Sequence, residues 1–287
     1  MVDAAATFEP HRPRLTRLAW RMLGSSAEAE DLVQDAYLRW HEKGDREAVL
    51  SDEAFLVRMV SRLAIDRLRH LKVERESYYG SWLPEPAPTF QSLGDEFSYA
   101  AQVMLECLSP DERLAFLLRE LFDMEYAQIA GSMERNEASV RKLVSRARER
   151  LAEANHGTEL KREIDREAQR ALLSQLVAAT RAENAEQLEK LMAQTVRMTS
   201  DGGGRVHAAR YPLDGAARVS DALWRIVRKH GDNMELRLVE LDGEPAVLFL
   251  VDGALISAGF VGIRDGQVDQ LYMVLNPEKL GGVIFSP

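Results

Sequence analysis

Arginine and lysine gather on one side of two helical repeats in this 287-residue sequence, and phosphate and base recognition is the chemistry those side chains offer. In EAFLVRMVSRLAIDRLRHLKVER, the apolar residues Phe55, Leu56, Met59, Val60, Leu63, Ala64 and Leu68 recur at helical spacing. Arg58, Arg62, Arg67, Arg69, Lys72 and Arg75 fall on the other side. In EASVRKLVSRARERL the apolar stripe is Val140, Leu143, Val144, Ala147 and Leu151. Ser139, Arg141, Lys142, Ser145, Arg146 and Arg148 point away from it. Both guanidinium and ammonium groups reach phosphates, and arginine also pairs bidentately with guanine in a major groove. The competing reading is a basic but merely solvated helix face. Four aromatics near the first basic stretch, Trp40, Phe55, Tyr78 and Tyr79, have ring faces suited to stacking on unpaired bases, although Trp40 and Phe55 also belong to apolar stripes.

Residues 201–205, DGGGR, raise the question of a phosphate-cradling loop. A P-loop needs G-x-x-x-x-G-K-[ST] between a strand and a helix, and neither that spacing nor a capping hydroxyl follows here. A dinucleotide fingerprint fails likewise. Glycine tolerates positive φ and lets another backbone approach closely, so the expectation is a bend or strand-edge loop that presents Asp201 and Arg205. Asp201, His207, Asp252 and Tyr272 are acid–base candidates by residue type, but no spacing pairs them. The histidines at 11, 41, 70, 156, 207 and 230 show no metal-ligand spacing, so neither a metal nor a cofactor is expected.

The elements that must position these residues belong to a globular chain, 46% hydrophobic and 29% charged. A net charge of −9 excludes a globally basic nucleic-acid binder and leaves local basic faces. A single cysteine, Cys107, rules out an internal disulfide. No apolar run approaches the ~18 residues of a spanning helix. The start, MVDAAATFEPHRPR, lacks a signal-peptide core, so a cytoplasmic protein is expected.

Three blocks organise the chain. The first, about Phe8 to Tyr78, is helical. In AEAEDLVQDAYLRW a stripe of Leu32, Val33, Ala36, Tyr37 and Trp40 leaves Asp31, Gln34, Asp35 and Arg39 exposed, with Ser25 or Ser26 as cap. HEKGDREAVLSD reads as a loop. The segment GSWLPEPAPTF is a proline-stiffened linker, and its Trp82 and Leu83 would gain by burial against something. The second block, about Asp95 to Ala154, holds SPDERLAFLLRELFD, with a capping serine and a proline at its first helical position. YAQIAGSM and EASVRKLVSRARERL follow as a helix-turn-helix, with Asn136 as N-cap. The third block, about Ile164 to Pro287, opens with helical AQRALLSQLVAAT and NAEQLEKLMAQ. It continues with the strand-like runs PAVLFLVDG, ALISAGFVGIRDG and VDQLYMVLN, and the VDG and RDG turns signal hairpins. That order predicts an α+β domain with an antiparallel sheet. Two basic helical modules on a stiff linker suggest two DNA contacts at a set spacing.

AEDLVQDAYLRW, AFLVRMVSRLAIDRLR and YAQIAGSMERNEASVRKLVSRARERL resemble regions two and four of the extracytoplasmic-function (ECF) sigma factors of bacterial RNA polymerase, over about residues 8–155. The resemblance implies that Asp31, Gln34 and Asp35 dock on the polymerase clamp helices. It implies that the loop His41–Asp52 captures a base flipped from the −10 element, and that Arg58, Arg62, Asp66, Arg67 and Arg69 contact and melt that element. Ser139, Arg141, Lys142 and Arg146 would read the −35 element. Gln128 stands where many relatives have Glu, a position suited to packing or backbone contact.

WLPEP in the linker, DGGGR and NPEKL at 276–280 look like the subgroup with a fused SnoaL-like C-terminal domain, whose usual forms are DGGGK and NPDKL. There the extra domain regulates the sigma modules in cis, in place of a separate anti-sigma protein. Trp82, Leu83, Pro84, Asp201, Gly202, Gly203, Gly204, Arg205, Asn276, Pro277, Lys279 and Leu280 are the expected interdomain contacts. The expected fold is two all-α sigma domains, a helical bundle and a helix-turn-helix, followed by an α+β SnoaL-like cone. The expected boundaries are 1–78, a linker at 79–94, 95–155 and 156–287. Core RNA polymerase and promoter DNA are the implied partners, with no membrane, room for a small-molecule ligand in the cone, no enzymatic activity, and a monomeric free state. The alternatives are a polymerase-independent helix-turn-helix regulator with a ligand-sensing domain, and a SnoaL-type isomerase or cyclase fused to a DNA-binding module.

Overall fold

The computed structural model describes residues 4–42, 51–86, 98–154, 166–182, 184–241 and 243–283. These form two compact units, one drawn from residues 1–76 and 104–157, the other from 77–103 and 158–287. Residues 77–103, which include the expected linker at 79–94, thus group with the C-terminal part of the chain. The expected base-capture loop lies mostly outside the described residues, at 43–50, as do the rest of the linker, 87–97, and the second joint, 155–165.

The first unit is all helical. Helices α1 (Ala4–Phe8), α2 (Arg12–Leu23), α3 (Ser26–Glu42) and α4 (Asp52–Glu76) form its first module. The short α5 (Tyr99–Met104) falls almost wholly in the second unit, and helices α6 (Pro110–Glu120), α7 (Tyr126–Met133) and α8 (Glu137–Ala154) form the second module. Local chemistry sets the boundaries. Gly24 ends α2 in the left-handed conformation at φ 69°, which costs a glycine little. Ser109 and Glu112 close a reciprocal capping box on α6 behind Pro110. Asn136 Oδ1 accepts from Ser139 N at 2.8 Å and starts α8. Leu56, Val60, Ala64 and Leu68 of α4 are buried, as are Val140, Val144, Ala147 and Leu151 of α8. Trp40 is fully buried, and its indole N–H donates to Ala4 O at 3.2 Å.

The second unit is α+β. Helices α9 (Arg166–Arg181) and α10 (Ala185–Leu191) precede β1 (Met192–Asp201), β2 (Leu213–Asp214) and α11 (Ala216–His230). Then come β3 (Met234–Leu241), β4 (Glu244–Val251), β5 (Ala254–Arg264), β6 (Gln267–Val274) and the short α12 (Pro277–Leu280). The sheet runs β2-β1-β6-β5-β4-β3. It is mixed, correcting the antiparallel expectation: β1 pairs parallel with β6, Ser200 opposite Met273. The sequence reading ran the α10 helix on through MAQ, whereas the helix stops at Leu191 and Met192 opens β1. The two expected hairpin turns form, with Asp252–Gly253 at φ 50° and 79° and Asp265–Gly266 at φ 50° and 76°.

Both faces of this sheet are apolar. Leu173, Leu176, Val219 and Leu223 from α9 and α11 cover one, against Leu236, Val247, Phe249, Val261, Leu271 and Met273. On the other face, Leu83 and Tyr99 pack with Leu248, Leu250, Ala258, Phe260, Tyr272, Val274 and Leu280. Pro245 to Leu250 of β4 are buried at every position, as a strand covered on both sides must be. Residues contributed by the inter-module segment therefore help to cover one face of a two-sided core.

Candidate functional site

The site in the second unit is built around Asp201, the last residue of β1 and fully buried. Its Oδ2 accepts from Leu83 N at 2.8 Å and from the Lys279 ammonium at 2.6 Å. Its Oδ1 accepts from the Tyr78 hydroxyl at 2.7 Å and from Gly203 N at 3.0 Å. Lys279 also donates to Leu83 O at 2.5 Å, so one buried ion pair grips both backbone groups of Leu83. Its ammonium sits 4.2 Å from the Trp82 ring centroid and 5.1 Å from that of Tyr78, a cation–π arrangement. Burial and the neighbouring Asp201 carboxylate push the Tyr78 phenol far above its ordinary pKa, so it stays a donor.

The glycines of DGGGR are required by this geometry. Gly203 has φ +59°, and a Cβ there would lie 2.4 Å from Asn276 Nδ2 and 3.0 Å from the Tyr78 hydroxyl. Asn276 in turn donates to Tyr78 at 3.0 Å and caps α12 by accepting from Glu278 N at 3.1 Å. Its own N–H donates to Asp201 O at 2.9 Å. The structure thus brings Trp82, Leu83, Pro84, the DGGGR loop and Asn276, Lys279 and Leu280 into one cluster, with Pro277 at the first position of α12. Asp201 is the departure from the loop reading: it faces inward to the linker, while Arg205 stays exposed and pairs with Glu278 at 2.8 Å.

Sequence reasoning missed the other half of the grip. Tyr99 is buried, stacks on Phe260 at 3.9 Å between ring centroids, and donates its hydroxyl to Pro84 O at 2.7 Å. Its backbone N–H donates to Glu244 at 2.6 Å, and Gln169 holds the second Glu244 oxygen at 2.8 Å. Burial raises the Tyr99 pKa well above the ordinary value. The signal was present in PAVLFLV, an apolar run without alternation, which implies a strand needing cover on both faces.

In the first unit, the basic faces lie where the periodicity puts them. Arg58, Arg62, Asp66 and Arg69 are exposed on α4, and Arg67 is half-buried against Glu28. Arg141, Lys142 and Arg146 are exposed along α8, with Ser139 half-buried at its start. Arg141 lies 4.2 Å from the Tyr126 ring centroid and pairs with Glu137, so its guanidinium is held in place. Gln128 accepts from Glu125 N at 3.1 Å, which makes it a cap of α7. Asp31, Gln34 and Asp35 form an exposed face on α3.

The two modules of this unit meet through charge. Asp111 accepts from Arg69 at 3.0 Å and from Arg135 at 2.6 Å. Glu106 pairs with Arg113 and, at 2.8 Å, with Arg75. Burial alone would raise the Glu106 carboxyl, but Arg113 and Arg75 outweigh it and leave its pKa lowered. Arg75 donates to Leu23 O at 2.6 Å, Arg113 to Arg21 O at 2.9 Å, and Lys72 to Leu108 O at 2.5 Å.

Two family models match within this architecture: sigma-70 region 2 at residues 7–73 and sigma-70 region 4 at 99–151. The ECF RNA polymerase sigma factor SigJ of Mycobacterium tuberculosis is 34% identical over 96% of this chain and 92% of its own length. The chain belongs to the ECF sigma factors of bacterial RNA polymerase. The probable ECF sigma factor SigI of the same species is 28% identical, covering 96% of this chain and 94% of its own. The crystal structure of M. tuberculosis SigJ matches with a TM-score of 0.77 at 29% identity, over 98% of this chain and all of that one.

Within this sigma factor the four acid–base candidates do not converge. His207 and Asp252 are exposed, Asp201 is committed to the linker, and Tyr272 lies on the sheet face that carries Tyr99. The cavity under α9 and α11 is lined by Leu173, Leu176, Leu223, Phe249 and Met273 with Thr180, and holds none of the four. Among the described residues, no group of acids, histidines or cysteine is placed to hold a metal ion, and no helix is long and apolar enough to cross a membrane.

Proposed function

We propose that the SnoaL-like domain restrains this sigma factor in cis by shortening the tether between its promoter-reading modules. One observation carries the reading: the Tyr99 hydroxyl bonds Pro84 O at 2.7 Å across a sequence separation of 15 residues. A free chain of that length spans up to ~50 Å, and here it contributes almost none of that reach. The same segment is held at Leu83 by Asp201 and Lys279 and at Tyr99 by Glu244 and Phe260. In this reading Asp31, Gln34 and Asp35 meet core polymerase, Arg58, Arg62, Asp66, Arg67 and Arg69 the −10 element, and Ser139, Arg141, Lys142 and Arg146 the −35 element. The exposure of these faces supports the assignment, and transcription places the protein in the cytoplasm. A small ligand in the cone would have to be apolar, and the cavity under α9 and α11, with about 10 Å³ of free space, would have to widen to take it.

Run-off transcription with purified core polymerase, on the DNA upstream of the gene for this chain, tests both levels. A discrete transcript that depends on the protein is expected. Gly203→Val strains a left-handed position and drives Asn276 and Tyr78 apart. It is expected to raise transcript yield severalfold while co-elution with core polymerase is kept. Unchanged or lower yield, in a variant whose linker has become accessible to protease, would sink the restraint.

A further inference from the structure

Of the aromatics beside the first basic stretch, the structure buries Trp40, half-buries Phe55 and commits Tyr78 to Asp201, but leaves Tyr79 61% exposed. Tyr79 does not stand alone. Tyr211 is 70% exposed, and the Arg210 guanidinium lies 5.5 Å from the Tyr79 ring centroid and 5.6 Å from that of Tyr211. Val206 is exposed as well, and with Gly204, Arg205, His207 and Arg210 it lines a shallow hollow against Tyr79. His207 is exposed, and among the described residues no carboxylate pairs with it or with Arg210. Glu278 is taken by Arg205.

Each tyrosine ring keeps most of its surface in solvent, and the guanidinium between the two rings meets no carboxylate among the described residues. Rings with open faces and a flanking positive charge fit a ligand that is both planar and anionic, repeated along a chain. Single-stranded nucleic acid has that chemistry: bases stack on the rings, and phosphates meet the cations. A duplex hides its base faces and would find only the charge. Tyr79 also follows Glu76, the end of α4, by three residues in the chain.

We propose that Tyr79, Arg210 and Tyr211, flanked by His207, bind single-stranded DNA of the kind released when a promoter opens. The test uses the full chain and short oligothymidylate, labelled for anisotropy and carrying bromodeoxyuridine for photocrosslinking, with a duplex of equal length as comparison. Tyr79→Ala and Tyr211→Ala are each expected to weaken oligothymidylate binding about tenfold. Tyr79→Phe and Tyr211→Phe keep the stack and are expected to bind as the parent does. Arg210→Ala is expected to lower the slope of log affinity against log salt by roughly 0.7, the value for one lost phosphate contact on a single strand. Duplex binding is expected to be unchanged by the Tyr→Ala variants. Crosslinks are expected at Tyr79 or Tyr211, with thermal midpoints unmoved because both side chains are exposed. Crosslinks confined to residues 52–76, with unchanged affinity in both Tyr→Ala variants, would overturn the proposal. So would loss of core polymerase binding in those variants with DNA binding intact, which would make the patch a protein-docking surface.

Discussion

The chain holds itself together at two internal joints of opposite chemistry. In the first unit, α4 meets the helix-turn-helix module through Arg69–Asp111 and Arg75–Glu106, and through Lys72 on backbone carbonyls. In the second, the linker meets the sheet through Leu83 and Tyr99, both inside an apolar core, with one ion pair at its edge. Taking charges out of water roughly cancels their attraction, so charged groups return to solvent, to phosphates or to a partner at small net cost. Withdrawing Leu83 and Tyr99 exposes apolar surface with nothing to offset it. The first joint is suited to opening when polymerase or promoter competes for the arginines. The second stays shut unless the domain itself is disturbed.

The largest expected effect tests the second joint. Tyr99→Ala removes an enclosed ring stacked on Phe260 and is expected to destabilise the C-terminal unit by about 3–5 kcal/mol, as other buried aromatics do. Chemical denaturation followed by tryptophan fluorescence measures it. A loss below about 1 kcal/mol would mean that the linker rests on the sheet instead of forming its core, and the contrast between the joints would collapse.

The first joint is expected to respond to acid. Because the Glu106 pKa is lowered on folding from an ordinary 4.5, its contribution is fully present above that pH and is lost as pH falls through the folded value. Glu106→Gln is expected to flatten the acid limb of the stability profile and to cost about 1.5–3 kcal/mol at neutral pH, the range for a hydrogen bond to a charged group. An acid limb of undiminished slope in the variant would assign the titration to other carboxylates.

Much of this was legible before the fold. Helical periodicity gave α4 and α8 because one buried and one solvated face write a 3.6-residue repeat. Asp–Gly pairs gave the hairpins because both turn residues need positive φ. The cluster of WLPEP, DGGGR and NPEKL was expected from the family pattern, and the geometry supplies its reason: Gly203 leaves room for Asn276, and Asn276 and Lys279 reach Asp201 and its partners from α12. Tyr99 and Glu244 were hidden because their partners are 145 residues apart, and no local period encodes a contact of that range. The parallel β1–β6 pairing was hidden for the same reason. α11 is not among the elements expected from the sequence, although its buried Ala216, Val219 and Leu223 recur at helical spacing.

The smallest expected effect separates architecture from partnership at one residue. Arg205 and Glu278 join the two motifs at 2.8 Å, yet their side chains are 65% and 64% exposed. Exposed pairs of this kind contribute at most about 1 kcal/mol, because water screens the attraction and two long side chains must be held still. Arg205→Ala is therefore expected to leave the denaturation midpoint of the domain nearly unmoved, in contrast with Tyr99→Ala. Stability and transcription then become independent readouts. If the variant is as stable as the parent and transcribes as the parent does, the buried contacts at Leu83 and Tyr99 hold the linker without this pair. If stability is unchanged but transcript yield shifts, Arg205 acts on something outside the domain, and its place beside Arg210 and Tyr79 makes the hollow they share the first surface to probe.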